Sequence, residues 1–203
     1  MGDHVVQLYQ EEHDLACALS RYAAEGLARG EGVVIIGSAA RWQALAAALR
    51  AGGVDTHGAV LRGQLRLFGE LTDILWGQGK REAAAAIERF WNALARSQPF
   101  SLLCAYPLDS LDGRCYDGAL QAVCALHTHL APAPDSDAFN AAVSAAVREV
   151  LEPQLVGMLH SLSAQHRPET QMPIGQAVML WLRQHMPRTA EKVLARARAR
   201  IEA

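Results

Sequence analysis

The chain has no apolar run close to the roughly 20 residues that a bilayer-spanning helix needs, no paired CxxC, no GxxxxGK[ST] phosphate loop and no GxSxG elbow. The first absence excludes a helical membrane span. The opening Met1-Gly2-Asp3-His4 carries neither a basic nor an apolar leader segment, so a cytoplasmic protein is expected. A formal charge of -2 supplies no overall field for nucleic acid or an acidic membrane, and neither partner is expected. The four cysteines, Cys17, Cys104, Cys115 and Cys124, fall in stretches that read as helix or buried strand. Reduced thiols fit that pattern, with a bridge between Cys115 and Cys124 as the subordinate reading.

What is present is a folding composition: 51% hydrophobic and 20% charged residues in a chain of 203, enough for one core and one extension. His4 to Tyr9 reads as a short edge strand, and Glu11 to Ala28 as a helix with Leu15, Leu19, Tyr22 and Gly26 on one face, closed at Gly30. Gly32 to Gly37 encloses Val-Val-Ile-Ile, the unalternated pattern of a strand buried on both faces. Ser38 suits the cap of a helix whose inner face is Trp42, Leu45 and Leu49. Further strands are expected at Leu65 to Gly69 and Phe100 to Tyr106. Helices are expected at Glu70 to Trp76, at Arg81 to Arg96 with Ile87, Trp91 and Leu94 inward, and at Tyr116 to His129. This alternation predicts an α/β class: an open, mostly parallel sheet with helices on both faces. After the Pro132-Ala133-Pro134-Asp135-Ser136 break the chain reads as helices alone, so a C-terminal helical module is expected. The boundaries are 1–133 and 134–203.

In open α/β sheets ligands bind beyond the carboxyl ends of the strands. Gly37-Ser38-Ala39-Ala40-Arg41 occupies a phosphate-loop position with one glycine and no lysine, which argues against a nucleoside triphosphate held in the usual way. Glu70 follows the next strand, where it is either a ligand contact or the first-turn acid of its own helix. Asp73 and Trp76 follow it, and Cys104 and Tyr106 offer a thiol and a phenol at the end of another strand. His127-Thr128-His129, with His4, raises a metal reading, but side chains two apart on a helix diverge. No metal and no cofactor are expected. Cys104 with His127 is the best nucleophile pair on offer, against the ordinary reading of a buried strand cysteine.

Several segments in order then carry a resemblance: His4-Val-Val-Gln-Leu-Tyr9, the Gly26 to Gly32 approach to Val-Val-Ile-Ile, Phe68-Gly69-Glu70 with Leu75-Trp76, Glu88-Arg-Phe-Trp91-Asn92-Ala-Leu94, Phe100-Ser-Leu-Leu-Cys104-Ala-Tyr106 and His127-Thr-His129. Together, over about residues 3 to 133, they resemble the methanogen/methylotroph sensory domain, MEDS. The resemblance implies a RecA-like fold without a working phosphate loop, found in bacterial and archaeal signalling proteins and considered a sensor of small hydrocarbon-type molecules. This sequence departs from it where Gly63-Gln64-Leu65 runs straight into Arg66-Leu-Phe-Gly-Glu70. A central strand-helix unit present in the family is missing, which predicts exposed sheet or a cover borrowed from elsewhere.

The C-terminal helices carry apolar stripes, Phe139, Val143, Val147 and Leu151 on one and Ile174, Val178, Trp181 and Leu182 on another. They are expected to pack on the α/β domain or to pair in a homodimer. Arg188, Lys192, Arg196, Arg198 and Arg200 on the last helix read as a solvated face. The function expected is a non-catalytic sensory or regulatory module that binds a small molecule, or a signalling protein such as a histidine kinase or transcription regulator, at the carboxyl rim. Its candidate ligand-binding residues are His4, Tyr9, Glu70, Trp76, Asn92, Cys104, Tyr106 and His127. The alternatives are an assembly scaffold whose pocket is lost and a degenerate nucleotide-binding, ATPase-like protein.

Overall fold

The computed structural model describes residues 2–54, 64–131, 136–164 and 172–203. The chain divides into two compact units, Met1–Pro107 and Leu108–Ala203. Of the expected linker at 132–136, residues 132–135 lie outside the described residues and Ser136 opens a helix.

The first unit runs β1 (His4–Tyr9), α1 (Glu12–Ala28), β2 (Gly32–Ile36), α2 (Ala39–Ala51), β3 (Leu65–Gly69), α3 (Leu71–Gly77), α4 (Arg81–Ala95) and β4 (Phe100–Pro107). Its strands lie in the order β2-β3-β4-β1, every pair parallel, with Val34 opposite Leu67, Leu67 opposite Leu102 and Val6 opposite Cys104. The expected α/β class with a parallel sheet is observed. Helix α1 forms as its pattern predicts, with Leu15, Leu19 and Ala23 buried and Glu12 and Asp14 in its positive first turn. It ends at Gly30, whose φ of 72° suits a residue without a side chain. The Gly30 amide bonds to the Leu27 carbonyl and the Glu31 amide to that of Gly26, the paired closure of a Schellman turn.

One face of the sheet is covered by α1 and α2 around Leu15, Leu19, Leu45, Leu49, Phe68, Leu103 and Ala105. Each of the larger of these side chains contributes about 1.5–3 kcal/mol relative to exposure. The other face carries α3 and α4: α3 packs on β4, while Glu88 and Trp91 of α4 reach Cys104 and Phe100. That cover stops short of β2. Val34 is 41% exposed and Ile36 56%, so β2 is buried on one face only and the two-sided burial expected of it is wrong. Its continuous β-branched run reflects strand propensity, which does not distinguish one covered face from two.

Two further expectations are corrected. Trp42 is exposed and Arg41 takes the interior position beside Leu45 and Leu49, because buried carboxylates there demand a cation. On α4 the fully buried positions are Ala84 and Glu88, whereas Ile87, Trp91 and Leu94 are partly covered. Strand β1 has His4, Val6, Gln7, Leu8 and Tyr9 all buried.

The second unit contains a 3₁₀ turn at Gly113–Tyr116, α5 (Ala119–Cys124), β5 (His129–Ala131), α6 (Ser136–Val150), α7 (Pro153–Ser163), α8 (Ile174–His185) and α9 (Pro187–Ile201). The single helix expected from Tyr116 to His129 is therefore broken. Gly118, at φ 98°, interrupts it at the start, and it stops before a strand that holds His129. Helices α6, α8 and α9 pack on one another, with α7 on α8. Phe139, Val143, Val147, Val178, Leu182 and Val193 are buried there, so the stripes read from the sequence close a helical core within this unit. At the α6–α8 contact the Gly175 amide bonds to Asn140 Oδ1 at 2.8 Å, capping α8 from a neighbouring helix. A Cβ at residue 175 would lie 2.7 Å from that oxygen, so only glycine fits without displacement. On α9, Arg198 donates to the Leu111 carbonyl at 2.6 Å and Arg200 pairs with Glu149. All four cysteines are free thiols, and among the described residues no helix is long and apolar enough to cross a membrane.

Candidate functional site

Among the described residues, two buried polar clusters of the first unit hold most of the side chains named from the sequence. The first is at the carboxyl ends of β1, β2 and β3, where Tyr9, Ser38, Arg41, Glu70 and Asp73 converge. The Arg41 guanidinium, 6% exposed, donates through Nε to Glu70 Oε1 at 3.1 Å and through Nη2 to Asp73 Oδ2 at 2.7 Å. Its Nη1 meets Glu12. The Tyr9 hydroxyl donates to Asp73 at 2.9 and 3.0 Å, and the arginine lies over the Tyr9 ring at 5.7 Å. Burial is the largest influence on Asp73 and pushes its carboxyl above the ordinary value, against the lowering effect of Tyr9 and Arg41. Burial, then the Asp73 charge, likewise raises the Tyr9 phenol.

Glu70 is not the first-turn acid of its own helix. It makes no side-chain bond to the start of α3. Its carboxylate accepts instead from the Ser38 backbone amide and, at 3.2 Å, from the Ser38 hydroxyl. That hydroxyl in turn accepts from the Arg41 amide at 3.3 Å, capping α2. A helix N-terminus offers unpaired amides and partial positive charge to an anion, and here an internal carboxylate takes the place.

The second cluster sits on the α4 side of the sheet. His4 of β1, Glu88 of α4, and Cys104 and Tyr106 of β4 are all buried. His4 Nε2 lies 3.0 Å from Glu88 Oε2 and 3.4 Å from Cys104 Sγ. His4 Nδ1 lies 2.9 Å from Asn92 Oδ1. Cys104 donates to Glu88 at 3.3 Å, and the Tyr106 hydroxyl donates to the other Glu88 oxygen at 2.6 Å. Trp76 packs edge-on against the Tyr106 ring, with centroids 5.1 Å apart. Burial first, and the Glu88 charge second, hold the Cys104 thiol well above its ordinary value and raise the Tyr106 phenol. That direction is the opposite of what an activated nucleophile requires.

The candidates named from the sequence thus fall into two groups. Tyr9 and Glu70 share the rim cluster through Arg41 and Asp73. His4, Asn92, Cys104 and Tyr106, with Trp76 beside them, form the other cluster, below the rim for His4, Asn92 and Cys104. His127 belongs to the second unit, where it follows α5 and its Nδ1 meets the Val123 carbonyl at 2.7 Å. Sequence reasoning passed over Arg41 and Glu88 as site residues. Glu88 had a legible signal, a carboxylate one helical turn from both Ala84 and Asn92 on the inner face. Arg41 had none beyond its place after Ser38.

Comparison with known proteins supports the resemblance on part of the chain. Residues 3–70 match the model of the family described as MEDS, MEthanogen/methylotroph, DcmR Sensory domain. The match spans β1 to β3 and ends on Glu70. Neither a curated protein nor a solved structure matches the chain.

Proposed function

We propose that this chain, which carries a MEDS sensory-domain match over residues 3–70, is a non-catalytic sensory or regulatory module whose α/β unit binds a small molecule or a signalling protein at the carboxyl rim. The observation that carries the proposal is the Glu70 carboxylate seated on Ser38 and Arg41. It fills the place that a phosphate would take in a nucleotide-binding relative, and so turns the rim from triphosphate binding to another use. Apolar side chains stand exposed next to it: Ile36 at the end of β2, Trp42 in the first turn of α2 and Leu71 at the start of α3. Buried charge for orientation beside exposed apolar surface for contact is the composition of a small-molecule site. A ligand that prefers one arrangement of the rim shifts its population and relays the signal to a partner such as a histidine kinase or transcription regulator, with the module acting as a homodimer.

Thermal unfolding against a panel of small apolar and weakly polar compounds tests this reading, since a bound ligand raises the midpoint by mass action. A compound that stabilises the wild type and loses at least tenfold in affinity in Glu70→Gln supports it. Unchanged affinity in that variant removes the rim assignment, and magnesium-dependent stabilisation by ATP replaces it with the nucleotide reading. A second reading, an assembly scaffold, is favoured by the exposed Val34 and Ile36. It predicts a constant oligomer without retained ligand in native mass spectrometry.

A further inference from the structure

His4 Nε2, Glu88 Oε2 and Cys104 Sγ form a triangle with sides of 3.0, 3.3 and 3.4 Å. An imidazole nitrogen, a carboxylate oxygen and a thiolate sulfur around one tetrahedral zinc ion stand about 3.3–3.6 Å apart, from bond lengths of about 2.0–2.3 Å. An opening of a few tenths of an ångström converts one figure into the other. The three side chains come from three elements, β1, α4 and β4, and are all buried.

Two of the three are also held from behind. Asn92 Oδ1 stands 2.9 Å from His4 Nδ1; when that nitrogen carries the proton, the Nε2 lone pair points at the triangle. Tyr106 holds Glu88 by the oxygen that is not part of the triangle. Partners of this kind orient metal-binding histidines and carboxylates and sharpen affinity. Charge agrees with geometry, because one carboxylate, one thiolate and one dication sum to zero, which limits the cost of placing them in the interior. We propose that His4, Glu88 and Cys104 bind a divalent transition metal, with zinc the best match to their donor set. The thiolate disfavours magnesium and calcium, which take oxygen ligands. On binding, the Cys104 S–H bond breaks, its electron pair goes to the metal and its proton leaves to solvent. The site stands independently of the rim reading.

The test uses the full, untagged chain. Elemental analysis of the purified protein is expected to find one zinc per chain, removable by a strong chelator. Cobalt(II) added to the stripped chain is expected to give a thiolate-to-cobalt charge-transfer band and visible ligand-field bands, whose intensity reads the coordination number. Cys104→Ser abolishes the charge-transfer band, Cys17→Ser leaves it, and Asn92→Ala weakens binding about 10–100-fold while the circular dichroism stays native. If Cys104→Ser fails to fold, the Asn92→Ala affinity decides. Failure of the stripped wild type to bind zinc or cobalt overturns the proposal, as does a charge-transfer band that survives Cys104→Ser or an unchanged affinity in Asn92→Ala.

Discussion

The rim cluster and the α4 cluster both bury carboxylates in the same α/β unit, and they neutralise them by different chemistry. At the rim a single guanidinium, charged at every ordinary pH, is shared by Glu70, Asp73 and Glu12. On the α4 side Glu88, 0% exposed, is met within this unit by a phenol, a thiol and an imidazole. The rim arrangement is complete as the chain folds. The α4 arrangement has no arginine or lysine among these partners, and its carboxylate is held by hydrogen bonds instead.

The comparison can be broken most forcefully at Arg41. Arg41→Met leaves Glu70 and Asp73 buried without their cation and is expected to cost about 3–5 kcal/mol in urea unfolding at neutral pH. A loss under 1 kcal/mol would show that the rim carboxylates do not need it. Glu88→Gln keeps the shape and most acceptors of the second cluster, and the expected loss in metal-free protein is about 1–3 kcal/mol. If it equals the Arg41 loss, the two clusters are alike.

Acid sharpens the contrast. Asp73 has a carboxyl raised on folding, so the native state holds its proton more tightly than the unfolded chain. Between the ordinary and the raised value stability therefore falls as pH rises, and below both values the penalty is gone. Asp73→Asn is expected to flatten that part of the stability profile, and an unaltered slope would contradict the assignment. The smallest effect belongs to Glu12, whose side chain is 69% exposed. Glu12→Gln is expected to change stability by less than about 1 kcal/mol, less still at high salt.

The strands and helices were largely legible because period and punctuation are local properties. Val33 to Ile36 between glycines, Ser38 before a helix and Gly30 after one each state their role within a few residues. The sides of the sheet were not legible, since whether Val34 and Ile36 are covered depends on a helix elsewhere in the chain. The long helix expected from Tyr116 to His129 is not formed because Gly118 turns the backbone to positive φ at its start. For the site, His4, Tyr9, Glu70, Cys104 and Tyr106 were expected as ligand contacts at one carboxyl rim, whereas the structure buries all five and divides them between two hydrogen-bonded clusters. Their separation follows from the alternation of side chains along β1, which sends His4 and Tyr9 to opposite faces, and this could have been counted in advance.

The seat of Glu70 on the α2 N-terminus bears on whether an external anion can bind there. A carboxylate attached to the same chain is present at an effective concentration set by its tether, in the millimolar range or above for a short flexible one, and is never washed away. Any free anion must compete with an occupant that cannot leave.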